Sequence, residues 1–283
     1  MEQARLLGLA LNKISGSWDD ALLARLLADL GATTELDLSL SGFGEDEIGV
    51  SSERIVARRA AARIDAMDCC SPGDSPFDRQ FNARHAAGKL RAYRQKGPAG
   101  LTRALIEALA AGGVDGLTVL DIGGGVGAVH HELLRSGAAA AVDVDASRAY
   151  ISVAREEAER QGHADRVRYL AGDFVTLADE IDPADLVALD RVICCYADMA
   201  ALVGRSAALA RHRYGVVYLR DSWLGRVGVA FENTWLRLSG SSFRTYVHRT
   251  VDVDAIVVAH GFVKRLDRRT LEWQLALYER PAA

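Results

Sequence analysis

From Thr118 the chain reads Thr-Val-Leu-Asp-Ile-Gly-Gly-Gly-Val-Gly-Ala-Val, ending at Val129. Aliphatic residues lead into Asp121, four glycines fall between Gly123 and Gly127, and a helical apolar pattern begins at Val129, Leu133 and Leu134. That order predicts a strand, a tight turn and a helix. A turn this rich in glycine suits a backbone at positive φ or a ligand that must reach main-chain atoms without meeting a Cβ. Two nucleotide motifs are excluded. A phosphate loop needs Lys-Ser or Lys-Thr after its last glycine, and Gly-x-Gly-x-x-Gly needs a glycine where Ala128 stands.

The pattern present is Asp-x-Gly-x-Gly-x-Gly over Asp121, Gly123, Gly125 and Gly127, with Gly124 between. It resembles the first motif of class I S-adenosylmethionine (SAM) dependent methyltransferases, and three further stations come in that family's order. The run Ala138 to Val144 ends at Asp145-Ala146-Ser147, similar to the second strand and its ribose-binding acid. Asp143, two residues earlier on the same strand face, is the rival, and the spacing to the loop favours Asp145. Val167 to Leu170 leads to Gly172-Asp173-Phe174, similar to the adenine-binding step with its aromatic wall. Asp185 to Leu189 leads to Asp190-Arg191 and on to Cys194-Cys195-Tyr196. The resemblance covers about residues 79–280. It implies an α/β fold with a doubly wound, seven-stranded Rossmann-like sheet, SAM as cofactor, and Asp121, the four glycines, Asp145, Ala146, Asp173, Phe174, Asp190 and Arg191 around it.

At 283 residues, 49% hydrophobic and 25% charged, the chain suits one large domain plus an appendage. No apolar run approaches membrane-spanning length and no secretory leader is recognised, so the sequence reading is cytoplasmic. The cysteines fall in two adjacent pairs, Cys69-Cys70 and Cys194-Cys195, read as reduced thiols. Residues 1–75 read as a helical appendage and linker: Ser17 caps a helix with apolar positions Leu22, Leu23, Leu26, Leu27 and Leu30, and Pro72, Gly73 and Pro76 mark a linker before the main domain. Residues 5–50 resemble the tail of ParB-like domains fused to some DNA methylases. Yet residues 1–75 carry 13 acidic against 7 basic side chains, which repel a phosphate backbone. Residues 76–283 read as the methyltransferase domain.

Arg79 to Arg103 contains seven basic and no acidic residues, with His85, Tyr93 and Arg94 the positions to watch for cofactor or substrate contact. Met199 to Arg211 reads as a helix and Gly215 to Leu219 as the fifth strand. Trp223 to Arg249 is a long aromatic and basic insertion, expected to form a substrate lid or a subsidiary core. A helix over Val253 to His260 and an antiparallel pair, Phe262 to Leu266 and Leu271 to Tyr278, close the chain. Methyl transfer from a sulfonium needs alignment and, at oxygen or nitrogen, a proton acceptor. His248 is the first choice for that base and His85 the second, with Asp190 and Tyr196 beside the acceptor; no metal site is read. The DNA amino-methyltransferase step Asp/Asn-Pro-Pro-Tyr/Phe is absent at Asp190-Arg191-Val192-Ile193, and Cys194-Cys195 lacks the proline of cytosine C5 enzymes. These absences favour a small organic acceptor, with a loose resemblance to magnesium-protoporphyrin O-methyltransferases. A soft acceptor served by the cysteines, a DNA-associated role and a non-catalytic SAM-binding module are the alternatives.

Overall fold

The computed structural model describes residues 76–98 and 100–281. The Ser17 helix, the ParB-like stretch, Cys69-Cys70 and the linker up to residue 75 lie outside them. All the described residues belong to the unit Gly73–Ala283. Three helices lead in: α1 (Pro76–Gln80), α2 (Ala83–Lys96) and α3 (Gly100–Ala110). Strands and helices then alternate: β1 (Thr118–Ile122), α4 (Ala128–Arg135), β2 (Ala140–Asp145), α5 (Arg148–Gln161), β3 (Val167–Ala171), the short α6 (Phe174–Leu177), β4 (Ala184–Asp190), α7 (Met199–Ala208) and β5 (Ala210–Leu219). After β5 come α8 (Trp223–Leu238), α9 (Thr250–Ala259), β6 (Val263–Arg269) and β7 (Trp273–Glu279).

The seven strands form one sheet in the order β3-β2-β1-β4-β5-β7-β6. The first five are mutually parallel, and β7 runs antiparallel to both β5 and β6. The doubly wound, seven-stranded sheet that the resemblance implies is therefore present. Strand order reverses between β1 and β4, and a crevice opens beyond the carboxyl ends of strands at such a point.

Alternation along the strands divides the apolar residues between two faces. Leu120, Ile122, Val187, Leu189 and Val216 pack with α7 and α9 through Leu202, Val203, Val253 and Val257. Val119, Leu186, Ala188 and Val217 pack on the other side with α3 and α4 through Leu105, Leu109, Val129 and Leu133. Gly215 lets α3 settle on the sheet: a Cβ there would sit 2.4 Å from Leu105 Cδ1.

Some boundaries differ from the sequence reading. Helix α7 ends at Ala208 and β5 starts at Ala210, because Ala210 pairs with Ala184 of β4 and Arg213 with Glu279 of β7. Pairing on both sides overrides the helical run expected up to Arg211. The amino-terminal half of the insertion is α8, whose Ser222 hydroxyl accepts from the Gly225 amide at 3.1 Å. No described helix is long and apolar enough to cross a membrane. Strand β6 is the sheet edge and carries Lys264, Arg265, Asp267, Arg268 and Arg269.

Candidate functional site

The glycine loop runs between the end of β1 and the start of α4, its Gly123 amide donating to Val144 O on β2 at 2.7 Å. Its glycines have different reasons to be glycine. A Cβ at Gly123 would strike Val192 at 2.5 Å, and one at Gly124 would meet Asp143 Oδ1 at 2.5 Å, so protein fills both spaces. Gly125, at φ 60°, meets nothing nearer than the Tyr150 ring at 3.7 Å. Steric room for a ligand therefore lies at Gly125, whereas a side chain at Gly123 would clash with Val192.

Asp145 ends β2 with 8% of its surface exposed. The Gly125 amide donates to its Oδ2 at 3.0 Å and the Ser147 amide to its Oδ1 at 2.7 Å. The carboxylate is thereby aimed beside the loop, and each oxygen keeps a lone pair for a further donor. Burial pushes its pKa up to about 6, partly offset by those two amides. Ala146 lies in the turn between Asp145 and Ser147. Asp143 behaves differently: it is fully buried, stands in register with Asp121 on β1, and neither carboxylate oxygen has a hydrogen-bond partner. Burial first, then the neighbouring Asp121 and Asp145, drive its pKa well above the usual carboxylate range. Of the two rivals, Asp145 keeps some exposed surface and Asp143 none.

Asp121 is anchored by α4, its Oδ2 accepting from the His130 amide at 3.3 Å and lying 2.8 Å from His130 Nδ1. Behind it His131 Nδ1 and His163 Nε2 are 2.9 Å apart, and the His130 and His131 rings meet edge to face at 4.3 Å. These buried imidazoles pack against Gly127, where a Cβ would lie 2.5 Å from His131 Nε2 and 2.6 Å from His130 Nε2. Asp190, at the end of β4, accepts from Thr102 Oγ1 at 2.6 Å and pairs with Arg191 at 3.3 Å. Arg191 has φ 62°, the one positive φ outside glycine among the described residues, and its guanidinium lies 5.1 Å above the Trp273 ring. Asp121 Oδ1 and Asp190 Oδ1 remain buried without partners at the carboxyl ends of adjacent strands. Unsatisfied buried acceptors of this kind call for positive charge nearby, and a ligand with ammonium and sulfonium groups carries it. The residues present fit SAM.

Asp173 caps α6, accepting from the Val175 amide at 3.1 Å, and is exposed. Phe174 does not form a free aromatic wall; its ring is 3% exposed and belongs to the core with Leu120 and Ile122. On the basic helix α2, Arg94 pairs with Glu157 at 2.7 Å and Glu156 at 2.8 Å, and the buried Tyr93 donates to Glu132 at 2.9 Å. Both therefore tie α2 to α5 and α4 and do not reach toward the glycine loop. His85 sits among Phe81 and Tyr150, with ring centroids 6.0 and 6.1 Å away. Helix α2 thus meets the loop region through its first turns.

The turn after β4 and the segment after α8 are laced together. The Tyr246 amide donates to Cys194 O at 2.7 Å, and His248 Nε2 lies 2.8 Å from Tyr196 O and 3.1 Å from Ile193 O. Carbonyls only accept, so Nε2 carries the proton and Nδ1 the lone pair. Desolvation lowers the His248 pKa, which keeps the ring neutral near pH 7. Cys194 and Cys195 are free thiols whose sulfurs lie 3.9 Å apart, and Cys194 donates to Arg191 O at 3.4 Å.

Residues 119–212 match the family model of the methyltransferase domain. The chain carries a SAM-dependent methyltransferase domain. Among solved structures, the magnesium protoporphyrin IX methyltransferase of Synechocystis PCC 6803 with bound SAM is 20% identical over 74% of this chain and 93% of its own, with a TM-score of 0.52. An O-methyltransferase family protein from Burkholderia thailandensis is 18% identical, covering 92% of this chain and 83% of its own at a TM-score of 0.55. Phosphoethanolamine N-methyltransferase 2 of Haemonchus contortus, solved with SAM, is 14% identical over 73% of this chain and 59% of its own, at 0.56. No curated protein sequence matches. What this methyltransferase shares with these structures is the fold, and SAM is its cofactor.

Thr102, Ser147 and His130 escaped the sequence reading. Thr102 meets Asp190 across 88 positions, which no local pattern announces. His130 lies at the start of the helix after the glycine loop, and a polar residue on that helix's buried side was the one available signal.

Proposed function

We propose that this methyltransferase acts on a small organic acceptor at oxygen or nitrogen, and that the acceptor enters between the turn Asp190–Tyr196 and the segment carrying His248. The observation that carries this reading is His248: its N–H is spent on two backbone carbonyls, so its free Nδ1 lone pair is fixed in orientation and available to take a proton. Bound SAM supplies a methyl group already activated for in-line displacement, so the protein mainly aligns reactants. Asp145 accepts from the ribose hydroxyls, Gly125 leaves room for close approach, and Asp121 and Asp190 hold the cationic end. Tyr196 borders the acceptor, Asp173 and the backbone of Phe174 border the adenine, and Arg191 stiffens the β4 turn.

Two observations support an oxygen or nitrogen acceptor over a soft one. Cys194 is buried with its Sγ donating to the Arg191 carbonyl at 3.4 Å, and the Cys195 sulfur lies against it at 3.9 Å. A buried thiol engaged with a backbone carbonyl and a neighbouring sulfur is not presented to an incoming soft acceptor. The test is incubation of the full chain with methyl-labelled SAM and a cell extract, with fractionation of the products. Label in small molecules supports the reading; label in nucleic acid, or none, overturns it. His248→Gln keeps the N–H donor and removes the base, so turnover should drop on the order of a hundredfold or more with SAM affinity unchanged.

A further inference from the structure

Helix α8 is amphipathic with its apolar side outward. The stripe facing the protein is Gly225, Val229, Asn233 and Leu236, fixed by Asn233 hydrogen bonds with both the carbonyl and the amide of Thr245 at 2.7 and 2.9 Å. The opposite side presents Trp223, Leu224, Val227, Phe231, Trp235 and Leu238, each 54–83% exposed. At about 100° per residue these six fall within roughly 120° of the helix circumference. Six large apolar side chains in one continuous band exceed the scattered exposure normal for a soluble surface.

We propose that α8 is a docking helix for an anionic lipid surface, lying in the headgroup plane with this band immersed. The charge around it selects that occupant. Residues 220–249 contain five arginines against Asp221 and Glu232, although the whole chain is net −4. Exposed Arg237, and Arg226 with its guanidinium paired to Asp221 at 2.7 Å, line one margin of the band, where headgroup phosphates would lie. Trp223 and Trp235 flank the band lengthwise, and indole rings, apolar with one N–H donor, favour the membrane–water boundary. Sixteen residues with internal charges do not span a bilayer; an apolar face bordered by arginine and tryptophan is the composition of a helix that lies on one.

The full chain should co-sediment with vesicles of mixed phosphatidylcholine and phosphatidylglycerol, weakly with phosphatidylcholine alone, and less as salt rises. The double substitution Phe231→Glu with Trp235→Glu should lower the partition coefficient about tenfold or more while SAM affinity, the check on folding, stays unchanged. Failure of the full chain to sediment with anionic vesicles would overturn the proposal, as would unaltered vesicle binding by the double variant. Size-exclusion chromatography that finds a dimer converted to monomer by the same substitutions would overturn it too, in favour of a second copy on the band.

Discussion

Asp143 and Asp145 are two residues apart on one strand, and the chemistry of each depends on what its oxygens touch. Asp145 is oriented by two amides and reaches the glycine loop; Asp143 faces only Asp121 and the backbone beneath Gly124. Asp145→Ala should weaken SAM binding by about 1.5–3 kcal/mol, read by calorimetry. Because its pKa is raised to about 6, the ionised acceptor is lost as pH falls through that value, and SAM affinity should decline about tenfold between pH 7 and pH 5. Asp143→Asn replaces a carboxyl whose charged form burial disfavours with a neutral isostere, so SAM affinity should stay within about threefold. A larger loss than for Asp145→Ala would reverse the assignment. In the sequence the choice between the two rests on spacing alone; the unpartnered oxygens of Asp143 are beyond it, because register with Asp121 is a property of the sheet.

Elements are legible in proportion to how far local pattern agrees with tertiary contact. The glycine loop, β1 to β4 and the closing antiparallel pair are announced by apolar runs and turn residues, and each lies within a few positions of its expected bounds. Helix α8 shows the opposite case. Its residues read from the sequence as an aromatic and basic insertion, not as a helix, and here the small stripe faces in. Phe174 departs from expectation for a related reason: an aromatic after an adenine-binding acid looks like a wall until the core claims the ring. At this scale Gly215→Ala gives a clean test of α3 against the sheet. Its Cβ would meet Leu105 and Leu109 at 2.4 and 3.3 Å, so chemical denaturation should report a loss of about 1–3 kcal/mol.

For the molecule as a whole, pH sensitivity comes from buried groups pulling in opposite directions. Burial, with His130 and His163 beside it, holds His131 uncharged with a pKa of about 2. The unfolded chain binds that proton near its ordinary value, so His131 contributes stability above about pH 6.5 that is lost as pH falls. Asp145, with its raised pKa, acts in the reverse sense: its contribution is complete below the ordinary carboxylate range and is lost as pH rises through about 6. His131→Gln should therefore flatten the rise of Tm between pH 5 and pH 7, measured by calorimetry across that range. We also propose that residues 73–283 form the catalytic unit; a purified fragment of that span should bind SAM as tightly as the full chain, and an insoluble fragment would contradict it.

Strand β6, the outer member of the antiparallel pair, has no neighbouring strand on one side of its backbone among the described residues. Open N–H and C=O rows of that kind recruit strands from other molecules and seed cross-β aggregates. In the run Val263–Arg269 four of the seven side chains are lysine or arginine, three of them paired with Asp254, Glu279 or Asp267, so a second copy approaching edge to edge would have to desolvate a row of charged groups. Those cations act as gatekeepers against fibrillar assembly.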